Sequence, residues 1–310
     1  MLPSNLAFVF PGQGSQSEGM LSEYLIKEKN FNLLLNEAKD ILNIDFFYLL
    51  KEANKEEISL TEITQPLVFV TNLAIWKCLN PDLISIKAMA GHSLGEYAAL
   101  VAAESINFED ALILVSSRAK LMQEAVPEGR GGIAAILGLK EDEVNTICKS
   151  VTQEGDVVEI ANLNSPQQIV ISGSSTAVQG VISKSKEAGA KRAIPLSMSI
   201  PSHCSLMKPA ANKFKLLLEN LEIRKPKTIV FQNVTAKAPS SEEEIRDNLV
   251  TQLYSPVKWT QTIQNINSLG ISNFIECGPG KVLSGLIKRI SKDSTVLTLD
   301  NYSSFQGFNK

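Results

Sequence analysis

Gly91, Ser93 and Gly95 fall within five positions, with His92 beside the serine. A serine in a Gly-x-Ser-x-Gly run can do nucleophilic chemistry where a strand ends and a helix begins, because that sharp turn lifts its hydroxyl out of the backbone. The flanks meet this condition. Ile84, Ile86, Ala88 and Met89 read as a short apolar strand, and residues 96–103 as a helix rich in alanine and leucine. The two glycines then have a steric reason to lack side chains, since the turn brings strand and helix backbones together. A serine hydroxyl attacks poorly until a positioned base takes its proton, and histidine suits that task near neutral pH. The chain has two histidines, His92 and His203. The side chain of His92 should diverge from that of Ser93, which makes His92 a structural residue of the turn. His203, in SIPSHCSLM, is the remaining candidate base, with a satisfied structural histidine as the alternative.

No acid announces itself as a third member. An α/β-hydrolase would run Ser, then Asp or Glu, then a C-terminal His, whereas roughly 100 residues follow His203. The acidic positions between the two fall largely on presumed helix surfaces or in the middle of the chain, where a solvated face is the ordinary reading. A backbone carbonyl can orient an imidazole and select its tautomer instead, so a Ser–His dyad is expected. Acyl chemistry also needs donors for an oxyanion, and the amide after the nucleophile, that of Leu94, is ready to serve. The Gly12-Gln13-Gly14 turn after the first strand is a candidate second donor; a plain strand-to-helix turn is the alternative. It is no dinucleotide fingerprint, because Ser17 stands where a third glycine is needed.

Arg118 is the most informative charge. Ala111, Leu114, Arg118 and Leu121 recur at spacings of three, four and three, so a guanidinium interrupts an apolar helix stripe. A buried arginine needs an anionic partner. Either a protein carboxylate such as Glu96 supplies it, or a substrate carboxylate does through two parallel hydrogen bonds. CGPGKV at 277–282 is not a phosphate loop, since Ile275 holds the earlier glycine position and Val282 replaces Ser or Thr; it reads as a turn capping a helix. Cys204 sits beside His203, but adjacent side chains diverge and nothing in the sequence lowers its pKa.

These residues must be held by the rest of a 310-residue chain that is 44% hydrophobic and 20% charged, the composition of an ordinary globular protein. A net charge of −3 gives no general reason to expect nucleic acid as partner. Cys78, Cys148, Cys204 and Cys277 form no C-x-x-C pair, so neither a metal site nor a disulfide framework is expected, and the setting reads as reducing and cytoplasmic. The start, MLPSNLAFVFPGQG, is a poor signal peptide. No segment approaches the roughly 18 apolar residues of a membrane span, so no membrane partner is expected.

Strand and helix alternate through the first part of the chain. A strand at 6–10 is followed by helical periods to about residue 52, an acidic loop, a helix at 66–79, the strand and helix around Ser93, and a helix at 108–125 capped by Asn107. This order argues for a parallel sheet covered by helices. The middle differs: strand 131–139, helix 140–150, strands 157–161 and 168–172, helix 176–188 and strand 191–196 give the β-α-β-β-α-β order of a ferredoxin-like unit. The expected organisation is an α/β catalytic domain from 1–127 and 199–310, interrupted by a subdomain at 128–198 that begins in the glycine-rich PEGRGG. After it come a helix at 205–221, a strand at 228–232, helices near 241–253 and 256–269, a strand at 273–277, a helix after Gly280 and a strand at 295–299.

With FVFPGQGSQ (8–16), TQPLVFVTNLAIW (64–76), AGHSLGEYAAL (90–100), SSRAKLMQEA (116–125), ANLNSPQQIVISG (161–173), IPSHCSLMKPA (200–210) and ECGPGKVLSGLIKR (276–289) in order, nearly the whole chain resembles the malonyl-CoA:acyl-carrier-protein transacylases of bacterial fatty-acid synthesis. These are relatives of the acyltransferase domains of polyketide and fatty-acid megasynthases. The resemblance implies a hydrolase-like parallel-sheet core with a ferredoxin-like insert. It implies Ser93 as the acylated nucleophile, His203 as its base and Arg118 as the residue binding the free malonyl carboxylate. It also implies Gln13 and the amide of Leu94 at the oxyanion, and Gln252, in VTQLYSPVKW, as the residue whose backbone carbonyl orients the histidine. The implied reaction is ping-pong transfer from malonyl-CoA to acyl carrier protein, whose own phosphopantetheine carries the acceptor thiol. The coenzyme A thioester is a substrate, and no cofactor or metal is expected; the protein is expected to act as a monomer. Ser202 stands where megasynthase domains often carry a bulky residue, so their substrate rules do not transfer. A serine thioesterase or esterase is the alternative enzyme. A catalytically silent carrier-binding protein is the alternative from another class, and it would be expected to lack Ser93, His203 or Arg118.

Overall fold

The computed structural model describes residues 5–80, 84–196 and 200–309. Its strands are β1 (Leu6–Phe10), β2 (Ile86–Gly91), β3 (Gly131–Leu137), β4 (Val158–Ser165), β5 (Gln168–Ser174), β6 (Arg192–Pro195), β7 (Ile229–Phe231), β8 (Asn273–Glu276) and β9 (Thr295–Thr298). Five of them form one parallel sheet in the order β7-β2-β1-β8-β9. The central strand is LAFVF, wholly buried. It is apolar at every position because helices cover both faces of a parallel sheet. Leu6, Phe8 and Phe10 point into one core with Tyr97, Leu100 and Val115, while Ala7 and Val9 join Trp259, Ile263 and Leu286 on the other side.

The middle of the chain forms the second sheet, antiparallel, in the order β4-β5-β3-β6. Helices Glu141–Val151 and Ser175–Glu187 bury Val144, Val178 and Val181 against Ala134, Ile136, Ile169 and Ile171. This is the βαββαβ unit expected from the pattern. The unit is tied by backbone to the segment around Val257, which packs on the larger sheet's second face. The Leu163 N–H donates to the Val257 carbonyl at 2.9 Å, and the Val257 N–H donates to that of Ala161 at 2.9 Å. The subdomain limit expected at residue 198 lies outside the described residues.

A short helix, Tyr302–Phe308, follows the last expected strand, and three further elements differ from expectation for local reasons. The helix expected at 66–79 begins a turn earlier, as Thr61–Cys78, with Pro66 inside it. Proline favours a first turn, which made it look like the start. Here the carbonyl that loses its donor is that of Glu62, an exposed residue. The helix expected at 205–221 is a 3₁₀ turn, Ser205–Met207, running into Lys208–Glu219, with Pro209 in the new first turn. Strand β4 continues to Ser165, past the expected 161, through two irregularities of register. No described helix is long and apolar enough to cross a membrane.

Candidate active site

In a parallel sheet the loops beyond the carboxyl ends of adjacent strands converge on one crevice. Here β1 and β2 are paired neighbours, and the loops leaving them carry Gln13 and Ser93. The backbone at Ser93 is left-handed, φ +51°, a conformation that non-glycine residues seldom adopt. The turn closes so tightly that a Cβ on Gly91 would lie 1.9 Å from the Gly95 carbonyl carbon, and one on Gly95 would lie 2.0 Å from the Phe10 carbonyl oxygen. Both neighbours are backbone, so neither can swing away. Gly95→Ala is therefore expected to destabilise the fold by about 3 kcal/mol or more in chemical denaturation, at the upper end of overpacking costs. A loss below about 1 kcal/mol would show that β1 and the helix Gly95–Ala102 can part without cost.

Ser93 Oγ lies 2.8 Å from His203 Nε2, and His203 Nδ1 lies 2.7 Å from the Gln252 carbonyl oxygen. A carbonyl only accepts, so the ring proton sits on Nδ1 and Nε2 is left bare to receive the hydroxyl proton. His203 also has a left-handed backbone, φ +64°, and its N–H donates to the Leu253 carbonyl at 2.9 Å. No described carboxylate bonds to the ring, so the geometry is that of a dyad. Burial, reinforced by the Arg118 charge, pushes the imidazole down to about 3. The unfolded chain takes up this proton near pH 6.5 and the folded chain does not, so the group costs stability as pH falls from about 6.5 towards 3. Nitrogen-15 NMR of the imidazole should show the neutral Nδ1–H tautomer from pH 8 down to pH 5, and an imidazolium signal in that range would contradict the assignment.

Arg118, on the helix Phe108–Ala125, is 1% exposed. Its Nη1 donates to Gln65 Oε1 at 2.6 Å, and its Nη2 to Gln252 Oε1 at 3.1 Å and to Ser93 Oγ at 3.2 Å. The guanidinium lies 5.5 Å from the Tyr97 ring centre, and its Nε–H has no acceptor among the described residues. All these partners are neutral. Glu96, the alternative anion read from sequence, faces elsewhere: it accepts from the Asn233 N–H at 2.7 Å and from Gln232 Nε2 at 3.1 Å. A cation out of water among neutral groups is a poor structural device and a good receptor for an anion.

Gln13 Nε2 donates to Thr61 Oγ1 at 3.2 Å, which ties the loop after β1 to the start of the helix Thr61–Cys78. The loop packs directly on the serine turn, since a Cβ on Gly12 would stand 2.4 Å from the His92 carbonyl oxygen and 3.6 Å from the Leu94 nitrogen. No described backbone carbonyl takes the N–H of Leu94 or of Gln13.

The acyl transferase domain family matches residues 7–299. The malonyl CoA-acyl carrier protein transacylase of Haemophilus influenzae is 46% identical over 301 residues, 96% of either chain. That of Bacillus subtilis is 43% identical over 93% of this chain and 91% of its own. The chain belongs to the acyl transferase domain family. The malonyl CoA-acyl carrier protein transacylase of Coxiella burnetii superposes with a TM-score of 0.95 at 41% identity, covering 99% of this chain and 98% of its own. A malonyl-transacylase solved in complex with a type II polyketide acyl-carrier protein gives 0.96 at 44% identity, with 99% of each chain covered.

Within this acyl transferase the remaining features find places. His92 points away from the serine: its Nε2–H donates to Asn164 Oδ1 on β4 at 2.8 Å, and its ring meets Trp259 edge-on at 5.4 Å. The CGPG turn is capped by Glu276, which accepts from the N–H groups of Leu283 and Ser284 at 2.9 and 2.8 Å. It also braces the loop after β1, because a Cβ on Gly278 would lie 2.5 Å from Pro11 Cγ. Cys204 is buried, its thiol pushed up to about 11, chiefly by burial. Residue pattern alone does not mark Gln65 or Asn233 as site residues. Gln65 is one of several polar residues on its helix, next to the apolar run that follows Pro66, a weaker signal than that of Arg118; Asn233 follows a strand of only three residues and carries none.

Proposed function

We infer that this chain is a malonyl-CoA:acyl-carrier-protein S-malonyltransferase that supplies malonyl groups for fatty-acid synthesis. The observation that carries the reading is Arg118, buried with no carboxylate bonded to it among the described residues and 3.2 Å from a serine hydroxyl that already faces an unprotonated histidine nitrogen. Such a site selects an acyl group with a free carboxylate and places its thioester at the nucleophile. The relatives described above support the acceptor, a carrier protein thiol. The reaction centre lies in the α/β domain, 1–127 and 199–310, with 128–198 as the subdomain alongside it. One chain carries every group the reaction needs, which supports a monomer, and four buried free thiols support a cytoplasmic setting.

As Ser93 Oγ bonds to the thioester carbon, its proton passes to His203 Nε2 and the carbonyl electron pair moves onto oxygen. The N–H groups of Leu94 and Gln13 hold that oxyanion. The intermediate collapses, the carbon–sulfur bond breaks, and the coenzyme A sulfur leaves with the proton from His203. Malonyl-Ser93 remains, its carboxylate on Arg118. The phosphopantetheine thiol of acyl carrier protein then gives its proton to His203 and attacks the ester, and Ser93 Oγ leaves with that proton. The Gln252 carbonyl stabilises the imidazolium formed in each half by accepting from Nδ1–H.

Intact-protein mass spectrometry tests this. The protein with malonyl-CoA alone should gain one malonyl group, and holo acyl carrier protein should remove it and gain it in turn. Loss of the group to water, with none on the carrier, would make the protein a thioesterase.

A further inference from the structure

Asn233 follows β7 and takes no part in the steps above, yet its side chain spans the serine turn. Its Oδ1 accepts the Ser93 N–H at 2.7 Å, and its Nδ2 donates to the Gly91 carbonyl at 2.7 Å. The two bonds therefore grip the backbone on either side of His92. A left-handed turn at an L-residue is unfavourable, and it persists only where the surroundings over-determine it. The glycines that flank this one have no side chains to hold it. Asn233 is itself fixed. Its N–H donates to Glu96 Oε2 at 2.7 Å and its carbonyl accepts from the Lys258 N–H at 3.0 Å. Glu96 is fully buried, and its other oxygen accepts from Gln232 Nε2, whose Oε1 accepts in turn from Asn248 Nδ2 at 2.8 Å. A longer contact, 3.4 Å from Gln252 Nε2 to Asn233 Oδ1, links this group to the residue that orients His203.

We propose that Asn233, anchored on Glu96, is a positioning residue that clamps the left-handed turn at Ser93 and so sets the serine oxygen against His203. The proposal rests on the reading of Ser93 as nucleophile. The chemistry of the clamp is specific: a carboxamide offers one acceptor and one donor, matched to one N–H and one carbonyl. An ionised carboxylate of the same shape keeps the acceptor and sets its second oxygen against the Gly91 carbonyl. A protonated one restores a donor. Slack in the turn moves Ser93 Oγ out of reach of Nε2, and a displacement of about 1 Å is worth roughly 100-fold in rate.

The experiment is single-turnover malonylation of Ser93 from malonyl-CoA, followed by quenched-flow and intact mass, for the wild type, Asn233→Asp, Asn233→Ala and Glu96→Gln. Folding is checked by circular dichroism. Facing position 233 are Glu96 directly and, through Gln252, Arg118 and His203. Of these Glu96, raised to about 7 chiefly by burial, titrates in this range in every variant that retains it, so the rate relative to wild type is what is read. For Asn233→Asp that ratio should fall at least about tenfold between pH 5.5 and 8.5, as the introduced acid loses its donor. Asn233→Ala should sit about 100-fold below wild type with no such slope, and the KM for malonyl-CoA should stay within about threefold in both, because Arg118 is untouched. Glu96→Gln, which gives up one acceptor, should slow the step about tenfold at pH 8.

A merely structural asparagine would alter the melting temperature without creating the pH-dependent ratio. The clamp is overturned if the Asn233→Asp ratio does not change with pH, or if folded Asn233→Ala acylates within about threefold of wild type. An unchanged Glu96→Gln rate overturns the anchor. Should the alanine variant not fold, the near-isosteric aspartate variant decides alone. An adduct on Ser93→Ala in the same assay would instead sink the nucleophile assignment, a separate outcome.

Discussion

Ser93→Ala should take up no malonyl group from malonyl-CoA, and its transfer rate to carrier protein should fall by roughly 10⁴-fold or more, as for other serine nucleophiles. The loss follows from what the substitution leaves in place. His203 keeps its bond to the Gln252 carbonyl, Arg118 keeps Gln65 and Gln252, and the N–H groups of Leu94 and Gln13 lie on backbone the substitution does not alter. Only the atom that forms the ester is removed. Alanine can occupy the same turn, because the Ser93 N–H and carbonyl are held by Asn233 and Gln252 rather than by the hydroxyl. The variant should therefore melt close to wild type, and malonyl-CoA should still protect Arg118 from guanidine-directed reagents. A malonyl adduct on this variant would assign the nucleophile elsewhere. The neighbouring thiol, Cys204, is the evident rival, but it is fully buried, donates to the Pro201 carbonyl at 3.1 Å and is held protonated at neutral pH.

The serine turn was legible because its glycines answer a steric demand that any sequence with that turn must meet, and here each contact falls below 3 Å to backbone. The two sheets were legible for a similar reason: short apolar runs such as LAFVF and the Ile-Val-Ile of QIVIS, bounded by turn residues, read as buried strands. Arg118 announces itself as a charge in an apolar stripe, and pattern alone leaves both a protein carboxylate such as Glu96 and a substrate carboxylate open as its partner. Only the folded geometry separates them, because residues 96 and 118 lie on different helices and the sequence does not say which way either side chain turns. The pairing of Ser93 with His203, 110 residues apart, could be proposed by elimination, since the other histidine was next to the serine. The carbonyl of Gln252 could not be found that way. A backbone acceptor leaves no mark in residue type, and the family resemblance supplied it. Asn233 marks the limit in the other direction. Its side chain does the work, yet asparagine after a short strand is ordinary turn composition.

Replacing Arg118 with alanine should lower kcat/KM for malonyl-CoA by about 10² to 10⁴, while transfer of an uncharged acetyl group changes by less than about tenfold. The range is that of truncating one side of a buried, hydrogen-bonded charge pair, about 3–5 kcal/mol. The difference between substrates is the informative quantity. Both acyl groups present the same thioester to Ser93, His203 and the two amides proposed for the oxyanion, and only malonyl has a carboxylate for the guanidinium to meet. Loss of general stability would reach both alike. Some loss is expected, because the alanine leaves Gln65 Oε1 without its charged donor. Gln252 also loses a bond, but its carbonyl still accepts from His203 and its Nε2 still donates to the Ser93 carbonyl at 3.1 Å, so the base should stay in place. Arg118→Lys separates charge from geometry. An ammonium keeps the positive charge but cannot present two parallel donors to one carboxylate, so this variant should recover part of the malonyl activity, short of wild type. Equal losses for malonyl and acetyl in Arg118→Ala would make the arginine a structural strut between two helices, and the selectivity for a dicarboxylic acyl group would then have to reside in another residue.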